Sequence, residues 1–316
     1  MILSVSRRTD IPNYYSEWLV RRFRAGFLCV RNPMDHHQVS RINLSPEVID
    51  CIVFWTKNPV PMFPYLDEFS RYMYYFQFTL TGYGREIEPG LPDKKKVLIP
   101  AFRELADRIG KERMVWRYDP VFLSDRYTLD YHVKAFAQIA EALAGKTQRV
   151  VISFLDDYDK TKRNMKGYGI RDLTEEKMRR LAQGLARIAG GYGMEIQTCA
   201  EKIDLLEYGI AHGACIDRSY IEHLLGCRLQ GGRDRGQRPE CGCMESVETG
   251  SYHTCRNGCR YCYANDSEGR VREAVRDYDA DSPFLCGKPE PGDRITERKM
   301  KTLRETQLTL EDCINL

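Results

Sequence analysis

The chain has 316 residues, 42% of them hydrophobic and 29% charged, which is enough apolar material for one large core or two smaller ones. Its formal net charge is only +3, with both signs dispersed, which argues against a dedicated nucleic-acid or membrane protein. No apolar run reaches the length of a membrane span, and Met1-Ile2-Leu3-Ser4-Val5 leads into Arg7, Arg8 and Asp10 rather than a signal-peptide pattern, so a cytoplasmic protein with reduced thiols is expected.

The apolar run at 2–6 predicts a first buried strand, ending in Arg7-Arg8-Thr9-Asp10. A helix over 14–25 follows, with Trp18, Leu19 and Phe23 on one face. Residues 27–30 and 39–44 suit a small hairpin or insertion. Ser45-Pro46-Glu47 reads as a helix start, with Ser45 as cap and Pro46 in the first turn. Strands are expected at 51–55, 73–80, 114–116, 149–154 and 194–198. Helices are expected at 98–109, 128–144 and 174–190, the last capped by Thr174.

This rhythm of strand, polar loop and helix implies parallel strands joined by crossover helices. The expected class is α/β, as a full or partial parallel β/α barrel of TIM-like type. No G-x-G-x-x-G follows a strand, which argues against a dinucleotide-binding sheet. After Cys199 the character changes. Short helices are expected at 203–209 and 217–225, then a Gly-, Arg- and Pro-rich loop over 226–250, and a charged helix or loose tail over 298–316. The expected division is a barrel domain over 1–200 and a cysteine-rich C-terminal segment over 201–316 that packs on it.

In such a fold chemistry gathers where strands end. Those ends carry Arg7, Arg8 and Asp10, then Lys57, Arg117 and Asp119, Asp156, Asp157 and Lys160, and Cys199. Each residue alone reads equally well as a loop ion pair or a helix cap, but the series suggests a polar cavity. Arginine forks suit a carboxylate or phosphate, so an anionic small molecule is the expected substrate class. Trp55 and Trp116 read as core residues, and His36 with His37 as a solvated loop pair.

Seven of the 12 cysteines lie between Cys215 and Cys262, with Cys199 just upstream. The densest stretch is Cys255-Arg256-Asn257-Gly258-Cys259-Arg260-Tyr261-Cys262-Tyr263-Ala264, a C-x3-C-x2-C spacing. Such spacing lets one loop turn three thiolates toward one iron–sulfur cube, and Gly258 supplies the turn. Three ligands leave one of four irons open to a small molecule. Zinc on the same thiols, with His253, is the next alternative, and disulfides come last. Cys199, Cys215, Cys241 and Cys243 make a second set, sufficient for a second cluster or for zinc, with Cys227 in reserve. Cys29, Cys51, Cys286 and Cys313 stand alone and read as buried hydrophobes.

The stretch CRNGCRYCYA resembles the cluster motif of the radical SAM enzymes. The whole chain, from SVSRRTDIP through FWTKNP and WRYDP to the late motif, resembles an uncharacterised radical-SAM-like family of unknown function. The resemblance implies a 4Fe-4S cluster on Cys255, Cys259 and Cys262, with Tyr261 and Tyr263 beside it. It also implies S-adenosylmethionine (SAM) bound to the open iron, one-electron cleavage of its sulfonium, and a 5′-deoxyadenosyl radical that abstracts a hydrogen atom. A reducing partner such as flavodoxin or ferredoxin follows from the same resemblance, but no substrate does. Members of that superfamily carry the motif after their first strand, whereas here it lies late. Two readings from other classes stay open: a zinc-stabilised nucleic-acid-binding protein using Arg228, Arg233, Arg235 and Arg238, and an iron–sulfur electron carrier without SAM. Dispersed charge disfavours the first, and the charged strand ends disfavour the second.

Overall fold

Runs rich in β-branched and aromatic residues, such as Ile52-Val53-Phe54-Trp55 and Tyr74-Tyr75-Phe76, form strands buried on both faces, the signature of a parallel sheet covered on each side. The computed structural model describes residues 1–156 and 159–305. The first third contains β1 (Ile2–Val5), α1 (Ile11–Tyr14), α2 (Ser16–Ala25), β2 (Phe27–Asn32), β3 (Asp35–Asn43), β4 (Cys51–Thr56) and β5 (Tyr74–Thr79). Next come α3 (Ile99–Ile109), β6 (Met114–Val121), β7 (Leu123–Ser124), α4 (Leu129–Ala142), β8 (Arg149–Phe154), α5 (Asp159–Asn164), β9 (Ile170–Arg171), α6 (Glu175–Gly191) and β10 (Glu195–Cys199). The chain continues through β11 (Ala211–Gly213), α7 (Arg218–Leu225), β12 (Val247–Glu248), α8 (Glu268–Val275) and β13 (Arg294–Glu297).

Eight strands form one sheet in the order β11-β10-β8-β6-β5-β4-β1-β12, and every neighbouring pair in it is parallel. From β1 onward each new strand joins the same edge, until β12 returns to the free side of β1. β11 and β12 remain the two edges, so hydrogen bonding among the described residues does not close a barrel. The established class is α/β with a large parallel sheet. Two strands from beyond residue 200 belong to this sheet, and β13 pairs with the β2–β3 hairpin.

Side chains alternate across the sheet. Leu3, Phe54, Phe76, Trp116 and Ile152 face the helices and pack with Trp18, Phe102, Phe136 and Leu185. Ile2, Val53, Tyr75, Val115 and Val151 face the other way, onto Cys215, Ile216, Met244 and Leu303. The cysteine-rich segment therefore fills the inner face of the sheet. Each large side chain buried in this way contributes about 1.5–3 kcal/mol relative to exposure.

Several expectations need correction. The helix expected over 14–25 is two elements, because Tyr15 ends α1 before Ser16 begins α2. Ser45-Pro46-Glu47 starts no helix. The Ser45 carbonyl accepts from Val48 and Ile49 in a turn, and β4 begins at once. Residues 298–305 form no helix, while 306–316, including Cys313, lie outside the described residues, as does Asp157. Trp116 is core, but Trp55 lines a cavity. Thr174 bonds the N-terminus of α6 as its sequence position predicts, and Asp217 does the same for α7. Among the described residues no helix is long and apolar enough to cross a membrane.

Candidate functional site

The C-terminal ends of β1, β4, β6, β8 and β10 surround a cavity of about 910 Å³. It is lined by Arg7, Arg8, Asp10, Lys57, Arg117, Asp119 and Lys160, the strand-end residues singled out above. Both thiol sets open on it as well: Cys255, Cys259 and Cys262 on one side, and Cys199, Cys215, Cys241 and Cys243 on another. Tyr261 and Tyr263 complete the wall, and Cys227 lies outside the lining.

The loop of the three-cysteine motif is held by parts of the chain far away in sequence. Asn257 is the pin. Its Nδ2 donates to Asp10 Oδ2 at 2.9 Å. Its Oδ1 accepts from Asn13 Nδ2 at 3.1 Å and Tyr14 OH at 2.9 Å. Its carbonyl accepts from Gly90 N at 2.9 Å. Gly90 has to be glycine, since a Cβ there would sit 2.6 Å from the Arg256 carbonyl oxygen. Gly258 takes a φ of +64°, the left-handed turn its residue type permits. The Arg260 N–H donates to Ile87 O at 2.9 Å, and Tyr15 OH to Thr254 O at 2.6 Å.

Asp10 is a tie between loops. Its carboxylate accepts from Thr56 Oγ1 at 2.7 Å, Lys57 N at 2.9 Å and Asn13 N at 3.2 Å, as well as from Asn257. Burial pushes its pKa up against those bonds. Lys57 Nζ donates to Glu88 Oε1 and to Tyr261 OH, both at 2.8 Å. Glu88 is 1% exposed and also accepts from Lys94, Tyr261 and, at 3.0 Å, Thr81 Oγ1. Burial opposes its charge, but Lys57 and Lys94 win and hold the carboxyl far below its ordinary range. Lys160 Nζ reaches the Tyr263 carbonyl at 3.1 Å and Asp266 Oδ1 at 2.5 Å, so it fastens the motif's far end. Tyr263 OH donates to the Arg7 carbonyl at 2.9 Å.

Arg117 is buried in the cavity wall. Its Nε donates to Asp119 Oδ2 at 3.1 Å and its Nη1 to Cys215 Sγ at 2.6 Å. Burial raises the Asp119 pKa, but Arg117 and Ser153 bring it below the usual carboxylate range. Arg7 and Arg117 each lie 5.3 Å from the Trp55 ring centroid. Arg8 lies 4.6 Å from the Tyr252 ring. Asp156 pairs with Arg238, one of the arginines that the nucleic-acid reading needed as a free arm.

The three motif cysteines are half-buried against the cavity wall, and the loss of solvent around their thiols raises the pKa of each. Cys255 is pushed up to about 12 by burial and then by the Asp10 charge, while Lys57 partly opposes the rise at Cys259. The Ala264 N–H donates to Cys262 Sγ at 3.3 Å. His253 is turned toward Asp266, whose N–H meets its Nδ1 at 3.2 Å and whose Oδ2 lies 3.4 Å from its Nε2. In the second set, Cys199 Sγ and Cys215 Sγ are 2.9 Å apart, and Ile216 N donates to Cys243 Sγ at 3.3 Å. Cysteines of both sets are free thiols. Among the described residues, no group of three His, Cys, Asp or Glu side chains already stands in coordinating geometry. A tetrahedral zinc site with 2.3 Å bonds needs sulfurs about 3.8 Å apart, so metal binding would spread Cys199 and Cys215.

Glu88, Asn257, Lys94 and Ser153 belong to this site and were not singled out from the sequence. Glu88 carried a signal, an acid between Ile87 and Pro89 just after a strand end. Asn257 was visible only as a spacer between two cysteines.

Fold and site together define an α/β protein with a thiol- and charge-lined cavity at the strand ends of a parallel sheet. The profile of DUF1848, a domain of unknown function, matches residues 2–264, and the chain belongs to that family. No curated protein matches the chain. Among solved structures, a protein assigned as an alpha-L-fucosidase from Bacteroides thetaiotaomicron is 13% identical, over 71% of this chain and 82% of that one, with a TM-score of 0.27. A likeness at that level carries no argument about function.

Proposed function

We propose that this chain is an enzyme of the radical SAM type, acting on an anionic small molecule. Cys255, Cys259 and Cys262 would hold a 4Fe-4S cluster, and Cys199, Cys215, Cys241 and Cys243 a second metal centre. The observation that carries the reading is that the three motif thiols open on the same cavity as the charged strand ends. The donor set fits a cluster with one open iron. Three thiols share one loop, and the ring nitrogens of His253 face Asp266. The winding order of the sheet also suits a partial barrel, in which strand ends converge.

When bound, the cluster and SAM would supply one-electron cleavage of the sulfonium and a hydrogen-abstracting radical. The remaining tasks fall to the chain itself. Lys57, held by Glu88 and Tyr261, offers its ammonium beside Cys259 and suits a carboxylate. Asp10 and Asn257 fix the loop that carries the thiols. Trp55, Phe154 and Leu155 give the cavity apolar wall that excludes water. A small reducing protein such as flavodoxin or ferredoxin would deliver the electron.

The test is anaerobic purification and reconstitution with iron and sulfide, followed by iron, sulfide and zinc analysis and by reduction in the presence of SAM. The expected result is a loop-dependent iron–sulfur spectrum and formation of 5′-deoxyadenosine. Stoichiometric zinc with neither iron–sulfur absorbance nor 5′-deoxyadenosine would overturn the proposal.

A further inference from the structure

The basic residues of the cavity are not equivalent. Lys57 is paired with Glu88, and Lys160 with Asp266. Arg117 and Arg7 behave differently, because Arg117 points at sulfur and Arg7 keeps a bare donor in the same cavity. Arg117 donates from Nε to Asp119 and from Nη1 to Cys215 Sγ at 2.6 Å. Arg7 Nη1 stands 4.0 Å from Glu248 Oε2, and its Nη2 is buried with no hydrogen-bond partner among the described residues. Arg7 lines the same cavity as Cys199, Cys215, Cys241 and Cys243. Both arginines rest over Trp55, which holds the planes in place.

A buried guanidinium N–H without a partner is costly and calls for an explanation. A neutral thiol is a weak acceptor, whereas a thiolate is a strong one that forms charge-assisted bonds. Metal binding requires deprotonated cysteines, so it would turn the nearby sulfurs into the acceptors that Arg7 Nη2 lacks. The four thiols come from three separate segments: the end of β10, the turn after β11, and the loop before β12. They nevertheless line one cavity and pack in one cluster, with Cys199 Sγ 2.9 Å from Cys215 Sγ. Their neighbours fix them there, since Ile216 N donates to Cys243 Sγ, Met244 N to Ile216 O at 2.9 Å, and Tyr75 OH and Gln77 Nε2 to Cys215 O.

We infer that Cys199, Cys215, Cys241 and Cys243 form a four-thiolate site for a thiophilic metal, and that Arg7 and Arg117 are its hydrogen-bond donors rather than contacts for substrate. The inference deepens the second-centre part of the function proposed above and does not depend on SAM chemistry at the motif loop. It also reassigns two residues that sequence reasoning gave to an anionic substrate. Each thiol gives its proton to solvent as its sulfur binds the metal, and no oxidant is needed for zinc or cobalt. An iron–sulfur cluster would require iron and sulfide, so the two sources are separated by separate arms of the test.

The experiment uses the full chain with Cys255, Cys259 and Cys262 all replaced by Ala, stripped of metal and kept anaerobic. One arm titrates Co²⁺ with Zn²⁺ competition, and the other supplies iron and sulfide. The expected result is one equivalent of Co²⁺ with intense thiolate-to-metal charge-transfer absorption, or one cluster in the iron arm. Adding Arg7→Gln or Arg117→Gln should weaken Co²⁺ binding on the order of tenfold or more, the usual effect of losing an outer-shell donor, with Arg117→Lys milder than Arg117→Gln. Absence of metal in both arms overturns the site, and unchanged affinity in both arginine variants overturns their role. If the triple variant does not fold, the parent with Cys241→Ala and Cys243→Ala must lose one of two equivalents, and retention of both overturns the inference. Because the motif loop is absent from the main test, failure of SAM cleavage in the parent leaves this result standing on its own.

Discussion

Replacing Glu88 with Gln is the sharpest perturbation of the site, because one carboxylate balances two ammonium groups. Glu88 is 1% exposed, and the ammonium groups of Lys57 and Lys94 both bond it. Removing one partner of a buried ion pair leaves an uncompensated charge and costs about 3–5 kcal/mol. For a chain of this size that corresponds to a fall in Tm of roughly 5–8 °C. Burial already lowers the Lys94 pKa with Glu88 present, so Lys94 should shed its proton most readily in the variant and soften part of the loss. The pH dependence has a definite sign. The folded pKa of Glu88 is depressed, so its stabilisation is fully present above the ordinary value of 4.5 and is lost as pH falls toward the folded value. Thermal unfolding of both proteins by circular dichroism should give a constant gap from pH 7 to pH 5 and a shrinking gap below about pH 4.5. A variant within 1 °C of the parent at pH 7, or a gap that widens in acid, would refute the argument.

Three further outcomes are expected. His132 is buried between Tyr118 OH at 2.9 Å and Phe122 O at 2.8 Å, and burial lowers its pKa to about 4. About 3 kcal/mol of stability should therefore be lost as pH falls from the ordinary 6.5 through 4, and His132→Phe should remove that acid sensitivity in a Tm-versus-pH series. Gly90→Ala drives a methyl against the Arg256 and Asn257 carbonyls and should cost about 1–3 kcal/mol, with faster loss of loop metal to a chelator. Unchanged release kinetics would show that the loop tolerates the shift. Cys259→Ala should abolish metal at the motif loop while the second thiol set keeps its own, as read by iron content and paramagnetic resonance. Loss of both signals together would mean that the two sets are one site.

Much of the sheet was legible because parallel strands buried on both faces announce themselves as apolar runs. Cys51 to Thr56 and Arg149 to Phe154 needed no tertiary context. The helix expected at Ser45 failed because local cap chemistry says nothing about how few residues separate one strand from the next. The polar strand ends were legible as a set, since an abrupt switch from apolar to charged residues marks the rim of a parallel sheet. What each charge does was not legible. Asp10, Arg117 and Lys160 look alike as strand-end ions, yet Asp10 ties loops together, Arg117 faces a sulfur and Lys160 fastens the motif's tail. Those roles depend on partners some 30 to 250 positions away, such as Glu88 for Lys57 and Asn257 for Asp10.

The late place of the cysteine motif is the point at which order in sequence and order in space part company. β12 lies beside β1 in parallel register, Leu3 against Val247 and Ser4 against Glu248. The Thr249 N–H then donates to Ser4 O at 3.1 Å, so the chain leaves β12 at the end of the sheet where β1 also ends. Six residues later Cys255 begins a loop that Asp10, Asn13 and Tyr14, all from the segment after β1, hold by hydrogen bonds to Asn257. The motif thus sits above the first strand even though it arrives near the end of the chain. A loop entering from β12 can present its thiols to the cavity as well as one leaving β1, because a parallel sheet places every strand's C-terminal end on the same rim. Closing that loop across some 240 residues is entropically cheap relative to its length, since closure cost grows only with the logarithm of the separation. The network around Asn257 and the strand pairing of β12 provide the contacts that oppose it.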